Sequence, residues 1–173
     1  MHKIPIIETE RLILRSFHNS DLQRYAQICA KPEFMRFMGE GEPLTREQAW
    51  HNIAYTLGHW ELRDHGVWAL EEKESHQLIG RVGIINPEGW PGPEVCWALD
   101  PDYWGKGYAT EAAREVIHWG FCHLSLPRII SVIAPNNIRS AKVAERLGEE
   151  FSHQQRINDK IVDIYAIERP QQL

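Results

Sequence analysis

The residues Trp104-Gly105-Lys106-Gly107-Tyr108-Ala109-Thr110 set two glycines, a lysine and a threonine between an apolar run and a long helical pattern. Glycines at a strand-to-helix junction let backbone approach an anion, and the first N–H groups of a helix lack intrahelical partners while carrying the positive end of its dipole. Spacing narrows which anion. A dinucleotide fingerprint starting at Gly105 requires glycine where Thr110 stands, and a Walker loop ending at Gly105-Lys106 requires glycine in place of Asp100 and Ser or Thr in place of Gly107. On physics alone, the two glycines also fit the lesser role of easing a tight helix entry. Cys29, Cys96 and Cys122 are widely spaced without C-x-x-C geometry, no H-E-x-x-H occurs, and His118 and His123 are five apart rather than four. We read the cysteines as reduced, buried thiols and the histidines as surface or satisfied groups, and expect no metal.

The elements that must position this loop follow from hydrophobic period. Arg11–Phe17 is strand-like, Asn19-Ser20-Asp21 supplies caps for a helix to about Ala30, and residues 31–43 read as irregular. Thr45 followed by Gln48 is a capping box that opens a helix from about Arg46 to Arg63, with Trp50, Ile53, Leu57 and Trp60 on one face. Val67–Glu72 and Leu78–Ile85 form a hairpin; a Gly/Pro loop, Asn86–Pro93, precedes the strand Glu94–Leu99, which Asp100-Pro101 stops. From Gly107 to Leu124, Ala109, Ala112, Ala113, Val116, Ile117, Gly120, Phe121 and Leu124 recur at helical spacing. Ile129–Ile133 is a β-branched central strand, a helix opened by Asn136 or Asn137 ends at Gly148, and Ile161–Ile167 is a last strand. Strand, long helix and strand make one βαβ crossover inside a mixed α/β sandwich.

The chain has 173 residues, room for one domain, with 43% hydrophobic and 25% charged residues, which excludes disordered and low-complexity classes. The net charge of −5 lacks a basic nucleic-acid footprint. No apolar run is long enough for a membrane span, and the first residues do not resemble a signal peptide, so we expect a cytoplasmic protein, monomer or homodimer.

Tyr103–Ala112 resembles the acetyl-CoA pyrophosphate motif of the GNAT superfamily of acyltransferases, Q/R-x-x-G-x-G/A, with Gly107 and Ala109 in the small positions. The branch it is most similar to is the ribosomal-protein N-terminal alanine acetyltransferase type, whose order is matched by Glu8–Arg15, Leu78–Gly83, Glu94–Pro101, Asn137–Ser140 and Glu145–Gly148. The likeness runs over about residues 8 to 168 of one domain spanning 1–173. It implies a GNAT-like fold: a central, mostly antiparallel twisted sheet of about 6–7 strands, helices on both faces, and one parallel pair splayed around the cofactor. Three positions depart from the pattern: Trp104 replaces Gln or Arg, Glu149 stands where phenylalanine is usual with Phe151 as its packing substitute, and Ala144 stands where many members carry an acidic tyrosine.

The implied reaction moves an acetyl group from acetyl-CoA to a primary amine, which must lose a proton since such amines titrate between ~8 and ~10.4. The resemblance implies that Trp97, Ala98 and Leu99 pair with the pantetheine arm, that Trp104, Gly105, Lys106, Gly107, Tyr108, Ala109 and Thr110 hold the pyrophosphate, and that Asn137 and Ser140 contact CoA. Glu94 is the candidate base, although a structural carboxylate holding the loop fits equally well; Ser140 is the candidate proton donor, a weak one. Arg139, Lys142 and Arg146 can offset phosphate charge or form a solvated face, and Trp60, Trp68 and Trp90 can line the acceptor side or the core. Glu40, Glu42, Glu88 and Glu94 put negative potential near the expected acceptor entrance, favouring a cationic acceptor such as a basic protein N-terminus or a polyamine. The competing readings are a CoA-binding sensor or interaction module that lost catalysis, and a nucleotide-binding protein using the same loop.

Overall fold

The computed structural model describes residues 4–171. Its eight strands are β1 (Ile7–Glu8), β2 (Leu12–Arg15), β3 (Val67–Glu72), β4 (Gln77–Ile85), β5 (Glu94–Leu99), β6 (Arg128–Ile133), β7 (Glu150–Ile157) and β8 (Lys160–Glu168), in one sheet of order β1-β2-β3-β4-β5-β6-β8-β7. Every neighbouring pair is antiparallel except β5 and β6, which are parallel and joined through a helix. The helices are α1 (Leu22–Cys29), α2 (Pro32–Met35), α3 (Arg46–Arg63), α4 (Tyr108–His123) and α5 (Ile138–Leu147). None among the described residues is long and apolar enough to cross a membrane.

Two apolar layers sandwich the sheet. On one face Val82, Ile84, Val95 and Leu99 meet Ala112, Ala113, Val116 and Phe121 of α4; on the other, Ala69 and Leu78 meet Tyr25, Ile28, Ala49 and Ile53 of α1 and α3. Strand alternation therefore sends Val95, Trp97 and Leu99 toward α4, and Glu94, Cys96 and Ala98 toward α1 and α3. Asp100, fully buried at the end of β5, accepts from Arg24 Nη2 and Lys31 Nζ at 2.5 Å each, tying α1 and its exit to the strand that carries the site.

Several expectations change. The face of α3 turned inward is Ala49, Ile53, Thr56 and Trp60, whereas Trp50 and Leu57 are exposed. Small Ala49 and Thr56 let the helix lie close to α1, so that Tyr25 OH reaches Asn52 Oδ1 at 2.6 Å. Residues 32–35 of the stretch read as irregular form α2, with proline in its first turn. Cys29 is buried, Cys96 half-buried and Cys122 exposed; all three are free thiols, so burial holds for Cys29 but not for Cys122. β7, a strand that no hydrophobic period marks in the sequence, is an exposed edge strand without alternation. Its turn, Asn158-Asp159, has positive φ at both residues, the conformation of a tight hairpin.

Candidate active site

Gly105 and Gly107 have φ of 77° and 82°, the left-handed region that favours glycine. Gly107 is the N-cap of α4, and the first intrahelical bond runs from Glu111 N–H to Gly107 O at 3.0 Å. The N–H groups of Tyr108, Ala109 and Thr110 precede that bond and have no partner within the helix. A Cβ built on Gly105 meets nothing within 4 Å, and one on Gly107 meets only Arg11 Nη2 at 3.5 Å, so the loop is open on its outer face. Arg11 braces it from behind: Nη2 pairs with Glu111 Oε2 at 2.6 Å and Nη1 donates to Lys106 O at 2.9 Å. Lys106 lays its ammonium over the Tyr103 ring, and the Tyr108 hydroxyl donates to buried Glu72. At Tyr108, then, the backbone rather than the side chain is what an anion meets, and the loop fits a pyrophosphate.

The parallel strands explain how a second part of the site opens. Ile130 N–H donates to Pro93 O at 2.9 Å, and Glu94–Ile130 is the only paired position between β5 and β6. In a regular parallel ladder the next rung would carry Val132 N–H to Val95 O. Instead Val132 N–H donates to Glu94 Oε1 at 3.4 Å, and Val95 O accepts from Ser131 Oγ at 3.2 Å. Two side chains take the rung's donor and acceptor, and the strands part there. Farther along, the β4 register and the Asp100 N–H to Ile79 O bond turn the backbone of Ala98 toward β4, leaving the N–H and C=O of Trp97 on the open edge. Leu99 also faces that edge, but its carbonyl accepts from Trp104 Nε1 at 2.7 Å. Of the expected Trp97–Leu99 pairing segment, therefore, Ala98 is committed to the sheet and Trp97 carries the free groups.

Glu94 is buried, with Oε2 accepting from Trp90 Nε1 at 2.7 Å, and burial pushes its carboxyl up to about 7. A second buried carboxyl, Glu149, stands behind it: Ser131 Oγ lies 3.0 Å from Glu149 Oε1, and burial pushes this group up to about 7 as well. One hydroxyl proton cannot serve both Val95 O and a carboxylate. Ser131 Oγ therefore donates to Glu149 or to Val95 O at any moment, and a proton on the Glu149 carboxyl lets both contacts be satisfied together. Glu149 Oε2 is buried without a hydrogen-bond partner among the described residues. Sequence reasoning missed the Ser131–Glu149 pair, although its signal was visible in the glutamate that replaces phenylalanine. Phe151 does not fill that place: it is exposed and packs edge-on against Tyr165.

Asn137 is the N-cap of α5, its Oδ1 accepting from Ser140 N–H at 3.3 Å, which puts the two residues together at the helix start as expected. Trp104 supports the Arg139 guanidinium 4.4 Å from its ring centroid, so its side chain braces strand and helix. Trp60 and Trp68 are core, stacked edge-to-face with each other and with Trp119, and only Trp90 reaches the site. The acidic entrance is weaker than the sequence implied. Glu88 pairs with Arg63 at 3.0 Å, Glu40 lies 3.9 Å from Lys160, and Glu94 is buried with a raised pKa, which leaves Glu42 to carry the argument.

A model of the acetyltransferase (GNAT) domain matches residues 11–150. The chain is 30% identical to YnaD of Bacillus subtilis, an uncharacterized N-acetyltransferase, over 82% of this chain and 81% of that protein. An acetyltransferase from Agrobacterium tumefaciens superposes with a TM-score of 0.84 at 31% identity, over 97% of this chain and 96% of that one. RimL, a ribosomal L7/L12 α-N-protein acetyltransferase solved with coenzyme A, shares the fold at a TM-score of 0.79 and 14% identity, over 95% and 98% of the two chains.

Proposed function

The chain belongs to the GNAT acetyltransferases and is an acetyl-CoA-dependent N-acetyltransferase; from that premise we propose that it acetylates a primary amine by direct attack on the thioester, with Glu94 receiving the amine proton. The observation that carries the reading is the parting of β5 and β6 at Glu94, which leaves the Trp97 backbone free on an edge that leads toward the unpaired N–H groups of α4. Acetyl-CoA supplies the activated acyl group. Tyr108, Ala109 and Thr110 N–H take the pyrophosphate with the Gly105–Gly107 turn, Trp97 pairs with the pantetheine arm as a missing strand would, and Asn137 and Ser140 meet it from α5. RimL, solved with coenzyme A, supports that placement by fold.

Glu94 suits a base: a carboxyl raised to about 7 binds a proton far better than an exposed one and is still largely ionised at pH 7.5 to 8. Trp90 Nε1 and Val132 N–H fix its orientation. Ala144 leaves no tyrosine to protonate the leaving thiolate, but a thiol of pKa ~8.5 needs little help, since each pKa unit is worth ~1.4 kcal/mol. Ser140 contacts CoA rather than serving as an acid. The acceptor is an amine-bearing molecule, and a reduced, cytoplasmic setting suits both the free cysteines and the cosubstrate.

The test is a titration with acetyl-CoA, ATP and NAD, followed by CoA release over a panel of amines. Micromolar acetyl-CoA binding with amine-dependent release is expected. Binding of ATP or NAD in place of acetyl-CoA overturns the reading. Acetyl-CoA binding without release for any amine selects instead a CoA-binding module without turnover, the alternative that Ala144 favours.

A further inference from the structure

Arg81 lies on β4 in register with Ala98 of β5, one strand away from the pantetheine edge and on the face shared with Cys96 and Glu94. Its Nη1 donates to Asn52 Oδ1 at 2.9 Å and its Nη2 to Met38 Sδ at 3.4 Å. Both partners are neutral, and a thioether is a poor acceptor for a cation. No described carboxylate forms an ion pair with it. The titratable groups around it are Tyr25 and Cys29 of α1 and Cys96 and Glu94 of β5. Burial holds the first three in their neutral forms, Cys96 pushed up to about 12, and Glu94, whose oxygens accept from Trp90 and Val132, meets Arg81 only through its charge, with no hydrogen bond or ion pair between them. The tyrosine hydroxyl cannot compensate, because Tyr25 OH donates to the same Asn52 Oδ1 that Arg81 uses.

A guanidinium between sheet and helices is costly to desolvate without an anion, and its planar fork matches a carboxylate. Elsewhere the chain pairs its half-buried arginines: Arg15 with Asp21 and Glu71, Arg24 with Asp100. Arg81 is the exception, and it stands on the face of β4 and β5 that carries Glu94. Half-exposed Tyr55 of α3 lies within electrostatic reach of Arg81 and Glu94, so the face that carries them runs out to solvent on the α3 side.

We propose that Arg81 is the anion-binding half of the acceptor site, and that the acceptor is an amine that also carries a carboxylate, its amine directed to Glu94 and its carboxylate to the guanidinium. The proposal rests on the acetyl-transfer reading above and narrows it. It replaces the polyamine expectation, which a cation inside the site disfavours. Arg81 and Glu94 are offset along the strands, since Arg81 faces Ala98 while Glu94 lies four residues away, so the length of the acid matters.

The test uses product-side ligands and so does not depend on turnover. Binding of N-acetylglycine, N-acetyl-4-aminobutyrate and N-acetyl-6-aminohexanoate to the CoA-loaded protein is measured by calorimetry beside the corresponding primary amides. At least one acid is expected to bind tenfold or more tighter than its amide. Arg81→Gln is expected to abolish that preference, and Arg81→Lys to retain part of it, with the CoA dissociation constant unchanged in both as the check on folding. Equal affinity of every acid and its amide in wild type, or a preference that survives Arg81→Gln, overturns the proposal. Failure of CoA itself to bind overturns the acetyltransferase reading instead.

Discussion

Glu149 is the residue whose chemistry the family pattern hides. An apolar side chain there would complete the packing behind β6; a glutamate instead brings a carboxyl into a space where only Ser131 answers it. Its pKa is higher folded than unfolded, so its contribution to stability is fully present below about 4.5 and is lost as pH rises through about 7. Glu149→Gln keeps the shape and cannot ionise. The melting temperatures of wild type and variant are expected to lie closest below pH 4.5, to separate progressively between about 4.5 and 7, and to differ most by pH 8.5 in favour of the variant. Glu94 shifts in the same direction and is present in both proteins; because the Glu149 charge helps to raise it, the variant's gain at high pH includes relief of that repulsion. A difference that stays constant across that range contradicts a raised Glu149 pKa.

At the scale of elements, the glycine loop and α4 were legible because their signals are local: two glycines, then an apolar face at 3.6-residue spacing. The box at Thr45 and Gln48 is present on both sides, Thr45 Oγ1 accepting from Gln48 N–H and Gln48 Oε1 from Thr45 N–H. The parting of β5 and β6 was legible only through resemblance, because its cause is three residues from separate elements, Glu94, Ser131 and Glu149, that no period connects. β7 escaped because an edge strand exposed on both faces has no reason to alternate. Gly107→Val tests the loop as an element. Valine at a φ of 82° is strained and puts a branched side chain beside Arg11, so the first turn of α4 is expected to refold locally. Acetyl-CoA affinity measured by calorimetry should fall at least ~100-fold, while the urea transition stays cooperative. Wild-type affinity in that variant contradicts the cradle.

At the scale of the molecule, function depends on two layers held against one sheet, and Asp100 locks the α1 side to the end of β5. It joins the end of β5 to Arg24 of α1 and to Lys31, and neither cation has another carboxylate as deeply buried to turn to. Asp100→Asn keeps the shape but leaves Arg24 without its carboxylate and Lys31 with only the exposed Asp102. Because both cations are partly exposed, water recovers some of the loss, and the expected destabilisation is about 3 kcal/mol, the low end for breaking a buried ion pair. Urea unfolding measures it, and a change below ~1 kcal/mol contradicts the role. This lock was not legible in the sequence, where Asp100-Pro101 showed only as a strand stop.

The central claim is that the carboxyl wedged between β5 and β6 takes the proton from the amine. The most direct test is kcat/KM for CoA release between pH 6 and 9 in wild type and Glu94→Gln, with acetyl-CoA affinity measured for both. Glu94 works as a base only when ionised, so wild-type activity should rise with pH through an inflection near 7, followed by the further rise from ionisation of the amine itself. Glu94→Gln should bind acetyl-CoA like wild type, turn over at least ~100-fold more slowly and lose the lower inflection. Equal rates in the two proteins, or the same inflection in both, would contradict the account.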